Sequence, residues 1–146
     1  MTELTPTSFT SFSRETFQAF RADDRPGPIH MLNLIRLHAV AAYPDGRIAS
    51  GAEAYAAYGR ISAPVLARLG GSIVWRGGFE LGMIGPAQEH WDIAFIAQYP
   101  GPAIFAEMFR DPVYREAMDH RMAAVADCRL IRFGVLANGT RFDGAA

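Results

Sequence analysis

A chain of 146 residues with 14 basic against 15 acidic side chains, a net charge of −1 and half of its residues hydrophobic is long enough for one core and too short for two. With a pI near 6.4 and neither a basic run nor an acidic tail, it lacks the electrostatic footprint of nucleic-acid and anionic-membrane binders. No apolar stretch approaches the ~18 residues of a membrane span, and the start Met1-Thr2-Glu3-Leu4 has no basic segment followed by an apolar one, so a cytoplasmic location is expected.

Residues 1–27 read as an N-terminal extension. It has a Ser/Thr-rich lead, a short helix over Ser13 to Phe20 with apolar residues at helical spacing, and the turn-rich stretch Asp23-Asp24-Arg25-Pro26-Gly27-Pro28. Residues 28–136 read as one domain. Its first strand runs from about Pro28 to His38 and leads through the polar loop at Pro44-Asp45-Gly46 to a helix from about Gly51. That helix is expected to bury Tyr55, Tyr58, Ile61, Val65 and Leu69, to kink at Pro64 and to end at Gly70-Gly71. A second strand is expected over Ser72 to Arg76, with its resumption through Phe79 to Ile84 left open, and a third over Trp91 to Tyr99. The Gly85-Pro86 turn region makes the two a hairpin. A helical region from Pro102 to Phe109 restarts at Asp111-Pro112, an N-cap followed by proline at the first helical position, and reaches about Ala126. Cys128 to Leu136 is the fourth strand, and residues 137–146 form a small-residue tail expected to be mobile.

The order strand, helix, strand, strand, helix, strand is the split β-α-β arrangement of the ferredoxin-like α+β sandwich, an antiparallel sheet with both helices on one face. If water covered the other face, the strands should alternate apolar and polar residues. The first strand instead carries Met31 and Ile35 on one side and Leu32 and Leu34 on the other, and the last sets Leu130 against Ile131, Phe133 and Val135. A second copy covering that face is therefore expected, giving a homodimer with a closed or nearly closed barrel between the subunits.

Every basic residue apart from histidine is arginine, because the chain contains no lysine. Schiff-base catalysis, covalent pyridoxal-phosphate attachment and a Walker-type phosphate loop are thereby excluded. No dinucleotide-binding glycine motif, nucleophile elbow or zinc-protease helix motif is present. The single Cys128 cannot form an internal disulfide, and His30, His38, His90 and His120 are scattered without metal-ligand spacing, so neither a metal nor a cofactor is expected.

Met31-Leu32-Asn33-Leu34, Glu53-Ala54-Tyr55-Ala56-Ala57-Tyr58, Gly70-Gly71 with Arg76-Gly77-Gly78, and Asp111-Pro112-Val113-Tyr114 with Arg121 together resemble domain-of-unknown-function family 1330 over about Pro28 to Phe133. That family resembles the dimeric α+β-barrel proteins, whose cavities elsewhere host cofactor-free oxygenation, isomerisation or haem chemistry. The resemblance implies a fold and a pocket, and it implies no reaction. The haem-degrading members pair a first-strand asparagine with a tryptophan and a histidine. The order Asn33, Trp91, His120 is present here, with a longer interval between the last two.

Asn33 shares a strand face with Met31 and Ile35, where an unpaired amide would cost about 1–3 kcal/mol. Either a neighbouring main-chain group or buried water satisfies it, or it faces a cavity and holds a ligand. Tyr55 and Tyr58 lie on one helical face, as core residues or as hydroxyl donors to a bound oxygen. Arg121 sits beside an apolar helical stripe and needs a carboxylate if it points inward, from Asp92, from Glu53 or from a ligand; snorkelling to the surface is the alternative. Arg76 beside Gly77-Gly78 is a candidate anion anchor, Trp91 and Tyr114 candidate pocket walls, and His120 the candidate general base. Two functions remain open: a cofactor-independent oxygenase or isomerase of a small metabolite, with Asn33 and Tyr58 polarising an oxygen, or a non-catalytic ligand-binding or structural dimer.

Overall fold

The computed structural model describes residues 8–136; most of the Ser/Thr-rich lead, and the tail expected to be mobile, lie outside the described residues. Chain order is α1 (Arg14–Ala22), β1 (Ile29–Leu37), α2 (Gly51–Arg68), β2 (Ser72–Gly78), β3 (Ile93–Tyr99), α3 (Pro102–Met108), α4 (Pro112–Ala124) and β4 (Val125–Gly134). Local chemistry sets the helix ends. Ser13 caps α1 by accepting from the Thr16 N–H, and Ser50 and Glu53 close a reciprocal capping box at α2. Gly70, at φ +81°, lets the chain turn back after α2, with the Gly71 N–H donating to the Leu66 carbonyl at 2.8 Å. Asp111 caps α4 by accepting from the Val113 and Tyr114 N–H groups, and Pro112 follows at the first helical position.

The four strands form an antiparallel sheet in the order β2-β3-β1-β4, the ferredoxin-like topology. Register places Asn33 opposite Phe95 and Leu130, and Arg76 on the far side of Phe95. Ile29, Met31, Asn33 and Ile35 therefore look toward the helices, and Ile29 and Ile35 are fully buried there. His30, Leu32, Leu34 and Arg36 look the other way. That outer face also carries Trp75, Ile131 and Phe133, which are 51%, 42% and 50% exposed. No helix among the described residues is long and apolar enough to cross a membrane.

Several elements differ from expectation. β2 continues through Gly77-Gly78 and then stops. Residues 79–92 form an irregular loop, with Gly85 at φ +143°, and leave Leu81, Met83 and Ile84 exposed. An extended pairing there would need a partner strand that β3, beginning only at Ile93, does not offer, so Trp91 belongs to the loop. The most buried residues of α2 are Gly51, Ala54, Ala57 and Val65; of the expected stripe Val65 is buried, while Tyr55, Tyr58 and Ile61, with Leu69 just beyond the helix, are half-buried. The helix packs on α4, whose Ala117, Ala123 and Ala124 are equally buried, and small side chains allow that approach. α2 runs on past Pro64 to Arg68 as one helix.

The described part of the N-terminal extension packs onto this framework. Phe12, Phe17 and Phe20 stack among themselves and against Phe105 and Phe109. Upstream of α1, Phe9 binds the free edge of β4. Its carbonyl accepts from the Cys128 N–H at 2.7 Å, and its own N–H donates to Asp127 Oδ1 at 2.9 Å.

Candidate functional site

Between the sheet and the two long helices lie two cavity lobes that share Tyr58, Phe95, Tyr99 and Tyr114 as common walls. The outer lobe, about 520 Å³, extends past Tyr55 to Arg76 and the exposed side of α2. The inner lobe, about 560 Å³, holds Asn33, Arg121 and Cys128 and is roofed by the segment from Phe9 to Phe12. No aspartate, glutamate or histidine lines either lobe among the described residues.

Arg121, at 9% exposure, is the most buried charged group lining the inner lobe among the described residues. Its Nη1 donates to the Thr10 carbonyl at 3.0 Å and its Nη2 to Cys128 Sγ at 3.3 Å. No carboxylate lies within ion-pair distance among the described residues. Asp92 instead accepts the Leu37 N–H and pairs with His90, and Glu53 closes the α2 cap. Burial works against the guanidinium's charge, but Tyr58, Cys128 and Tyr55 around it favour the cation, and its pKa stands above the ordinary arginine value. The charge is permanent.

The tyrosines form the partition between the lobes. Tyr58 and Tyr114 hydroxyls share a hydrogen bond at 2.9 Å, with their rings set edge to face. Burial pushes the phenol pKa values of Tyr55, Tyr99 and Tyr114 up, so each stays protonated and acts as a donor rather than a base. Asn33 Nδ2 donates to the Met31 carbonyl at 3.1 Å, a main-chain partner within its own strand, while the side chain lines the inner lobe. The main-chain partner is thus in place, and the side chain faces a cavity.

Six of the eight residues singled out in the sequence converge on this space: Asn33, Tyr55, Tyr58, Arg76, Tyr114 and Arg121. His120 and Trp91 do not. His120 Nδ1 is bound by the Tyr43 hydroxyl at 2.6 Å on the far side of α4, and the Trp91 ring stacks under Arg129 with its Nε1 donating to Glu89. Asn33, Trp91 and His120 consequently face three separate places. Thr10, Phe95 and Cys128 enter the site without having been singled out. Thr10 is brought in by Phe9 and Phe12, which belong to a set of four phenylalanines between positions 9 and 20, a spacing that signals a segment made to dock. A separate cleft of about 680 Å³ between α1, α3 and the end of α2 is lined by Arg21, Asp24, Arg68, Glu107 and Arg110. Its charges of both signs, including the Arg68–Asp111 ion pair, suit a solvated surface. No group of three metal-ligating side chains occurs among the described residues.

The topology and the cavity beneath the sheet define a ferredoxin-like α+β protein. The chain is 62% identical to the RPA0582 protein in its methylated crystal structure, with a TM-score of 0.89 over 92% of this chain and 100% of that one. A second structure, described as the RPA0582 protein of unknown function from Rhodopseudomonas palustris, is 61% identical with a TM-score of 0.87 over 90% of this chain and all of that one. The chain belongs to the RPA0582 family. A dimeric ferredoxin-like protein of unknown function from Thermobifida fusca shares the fold at 19% identity, with a TM-score of 0.50 over 77% of this chain and 94% of that one. No family model matches the chain, and no curated protein matches it.

Proposed function

We propose that this protein is a homodimeric small-molecule-binding protein whose ligand occupies the cavity between sheet and helices. One observation carries the proposal. Two lobes of about 520 and 560 Å³ meet at Tyr58, Phe95, Tyr99 and Tyr114, and each lobe is by itself within the range that encloses small ligands, about 300–1,000 Å³. The walls are mainly apolar and aromatic, with a few convergent donors in Asn33, Tyr58 and Arg121. Such donors can orient and polarise a carbonyl or phenolate-like oxygen. Among the described lining residues none is a carboxylate or imidazole that could take a proton near neutral pH, which favours binding over isomerase or oxygenase chemistry. The resemblance to domain-of-unknown-function family 1330 belongs to the same proposal.

The outer sheet face supports the dimer. Leu32, Leu34 and Ile96 lie between the half-exposed Trp75, Ile131 and Phe133, a contiguous apolar surface of the kind that marks an association site. The Thermobifida fusca neighbour is itself described as dimeric. Sedimentation is expected to give a dimer at micromolar concentration, and Phe133→Glu is expected to shift it toward monomer; a wild-type monomer would sink the dimer. For the cavity, calorimetric titration with indole, a neutral aromatic probe, is expected to saturate at one site per chain. Ala63→Trp, at the exposed rim of the outer lobe, is expected to weaken that binding. Absence of saturable binding would overturn the cavity as a ligand site.

A further inference from the structure

We infer that the ligand of this cavity is an amphiphilic monocarboxylate with an aromatic body, held through its carboxylate by Arg121; this rests on the ligand-binding proposal above and specifies its ligand class. Arg121 is 9% exposed, lines the inner lobe and has no acidic partner among the described residues. The other arginines of that lobe have carboxylates beside them. Arg129 binds Asp127 at 2.8 Å, and Arg132 lies 3.7 Å from the exposed Asp23 carboxylate and donates through Nη1 to the Phe20 and Asp23 carbonyls, while its buried Nη2 has no hydrogen-bond partner among the described residues. A buried cation facing only neutral groups is costly, and an anion in the lobe would relieve that cost. The guanidinium has five N–H donors, and the two contacts to Thr10 and Cys128 leave the rest of its fork for a planar, two-oxygen acceptor.

Within the inner lobe charge selects a monoanion, because Arg121 is the one lining guanidinium there with no carboxylate within 4 Å among the described residues, whereas a phosphate dianion would leave a surplus; Arg60 and Arg76 stand on the outer lobe. The walls select the body of the ligand. Phe95, Tyr58, Tyr99 and Tyr114 present rings around the partition, and no acidic side chain lines either lobe among the described residues. The Thr10 carbonyl is the neutral acceptor that now occupies part of the fork. A carboxylate on the remaining N–H groups would share the guanidinium with that carbonyl.

Calorimetry on the full chain with 3-phenylpropionate and its uncharged isostere 3-phenylpropionamide tests this directly. The carboxylate should bind about tenfold to a hundredfold more tightly than the amide, the range for a charge-assisted, two-point contact. Arg121→Gln should erase that preference, and Arg121→Lys, which keeps the charge and loses the fork, should restore part of it. Equal binding of the two probes by the wild-type protein would overturn the inference without needing a folded variant, as would a preference that survives Arg121→Gln. If indole binds while neither phenylpropionate probe does, the carboxylate class fails and the cavity stands. If indole also fails, the cavity itself is lost.

Discussion

Asp127→Asn isolates the anchor that holds the N-terminal segment over the cavity. The Asp127 carboxylate is 7% exposed and accepts from the Phe9 N–H at 2.9 Å and from Arg129 Nη1 at 2.8 Å, with Arg36 at 3.8 Å. Asparagine keeps the shape but removes the acceptor's charge, so the Phe9 bond becomes neutral and the Arg129 contact loses its ion-pair part, a loss of about 1 kcal/mol each. Because the Arg36 and Arg129 side chains are 40% and 38% exposed, solvent screens part of this, and the net cost expected is about 1–2 kcal/mol. Burial pushes the Asp127 carboxyl upward, but the Phe9 and Arg129 hydrogen bonds outweigh it and hold its pKa below the usual carboxylate value. The contribution is therefore full above the unfolded-chain value of about 3.9 and disappears as pH falls through the folded one. Urea denaturation should show a lower midpoint for the variant at neutral pH, with the gap to wild type closing below pH about 4. Amide exchange at Cys128 should accelerate in parallel, since its N–H is bound by the same segment. An unchanged midpoint, or a gap that persists undiminished in acid, would refute the anchoring role.

Gly51→Ala should destabilise by about 1–3 kcal/mol in thermal or urea unfolding, although helix propensity alone predicts a gain. The added Cβ would lie 1.9 Å from the His38 carbonyl oxygen, backbone that cannot swing aside. Tyr114→Phe removes the hydroxyl that shares a hydrogen bond with Tyr58 and should cost about 0.5–1.5 kcal/mol in the same assay. With burial raising the pKa values of Tyr55, Tyr99 and Tyr114, their contribution is complete below the unfolded-chain value of about 10 and is lost progressively as pH climbs above it toward the raised folded values. Phenolate absorbance should accordingly lag in the folded protein and jump on alkaline unfolding. Asp111→Ala removes the α4 cap and the partner of Arg68, and should lower the urea midpoint.

The fold was legible because its signals are local. Ser50 with Glu53, Asp111-Pro112 and Gly70-Gly71 mark helix ends by short-range hydrogen bonding, and the apolar runs of β1 and β4 mark a sheet with two apolar faces. The site was legible in part. Asn33 and Arg121 stand out as polar residues at core-facing positions, and register then brings them into one lobe. His120 was misplaced because one residue along a helix turns the side chain by ~100°, enough to exchange the cavity for Tyr43. Trp91 was misplaced because β3 starts two residues later than its apolar pattern suggests, which hands the indole to Arg129. The roof over the inner lobe was hidden for another reason. The pairing of Phe9 with Cys128 and of Thr10 with Arg121 joins residues more than a hundred positions apart, and no periodicity records it.

A four-stranded open sheet has two margins at which another chain can add itself, and each is a hazard in a crowded solution. Here the β4 margin is occupied by the backbone of Phe9. The β2 margin is interrupted by the register shift between Ile73 and Trp75 and ends in Gly77-Gly78, a broken and short template. Trimming the first dozen residues would thus do more than open a cavity: it would bare the backbone edge of β4 and leave it open to edge-to-edge assembly.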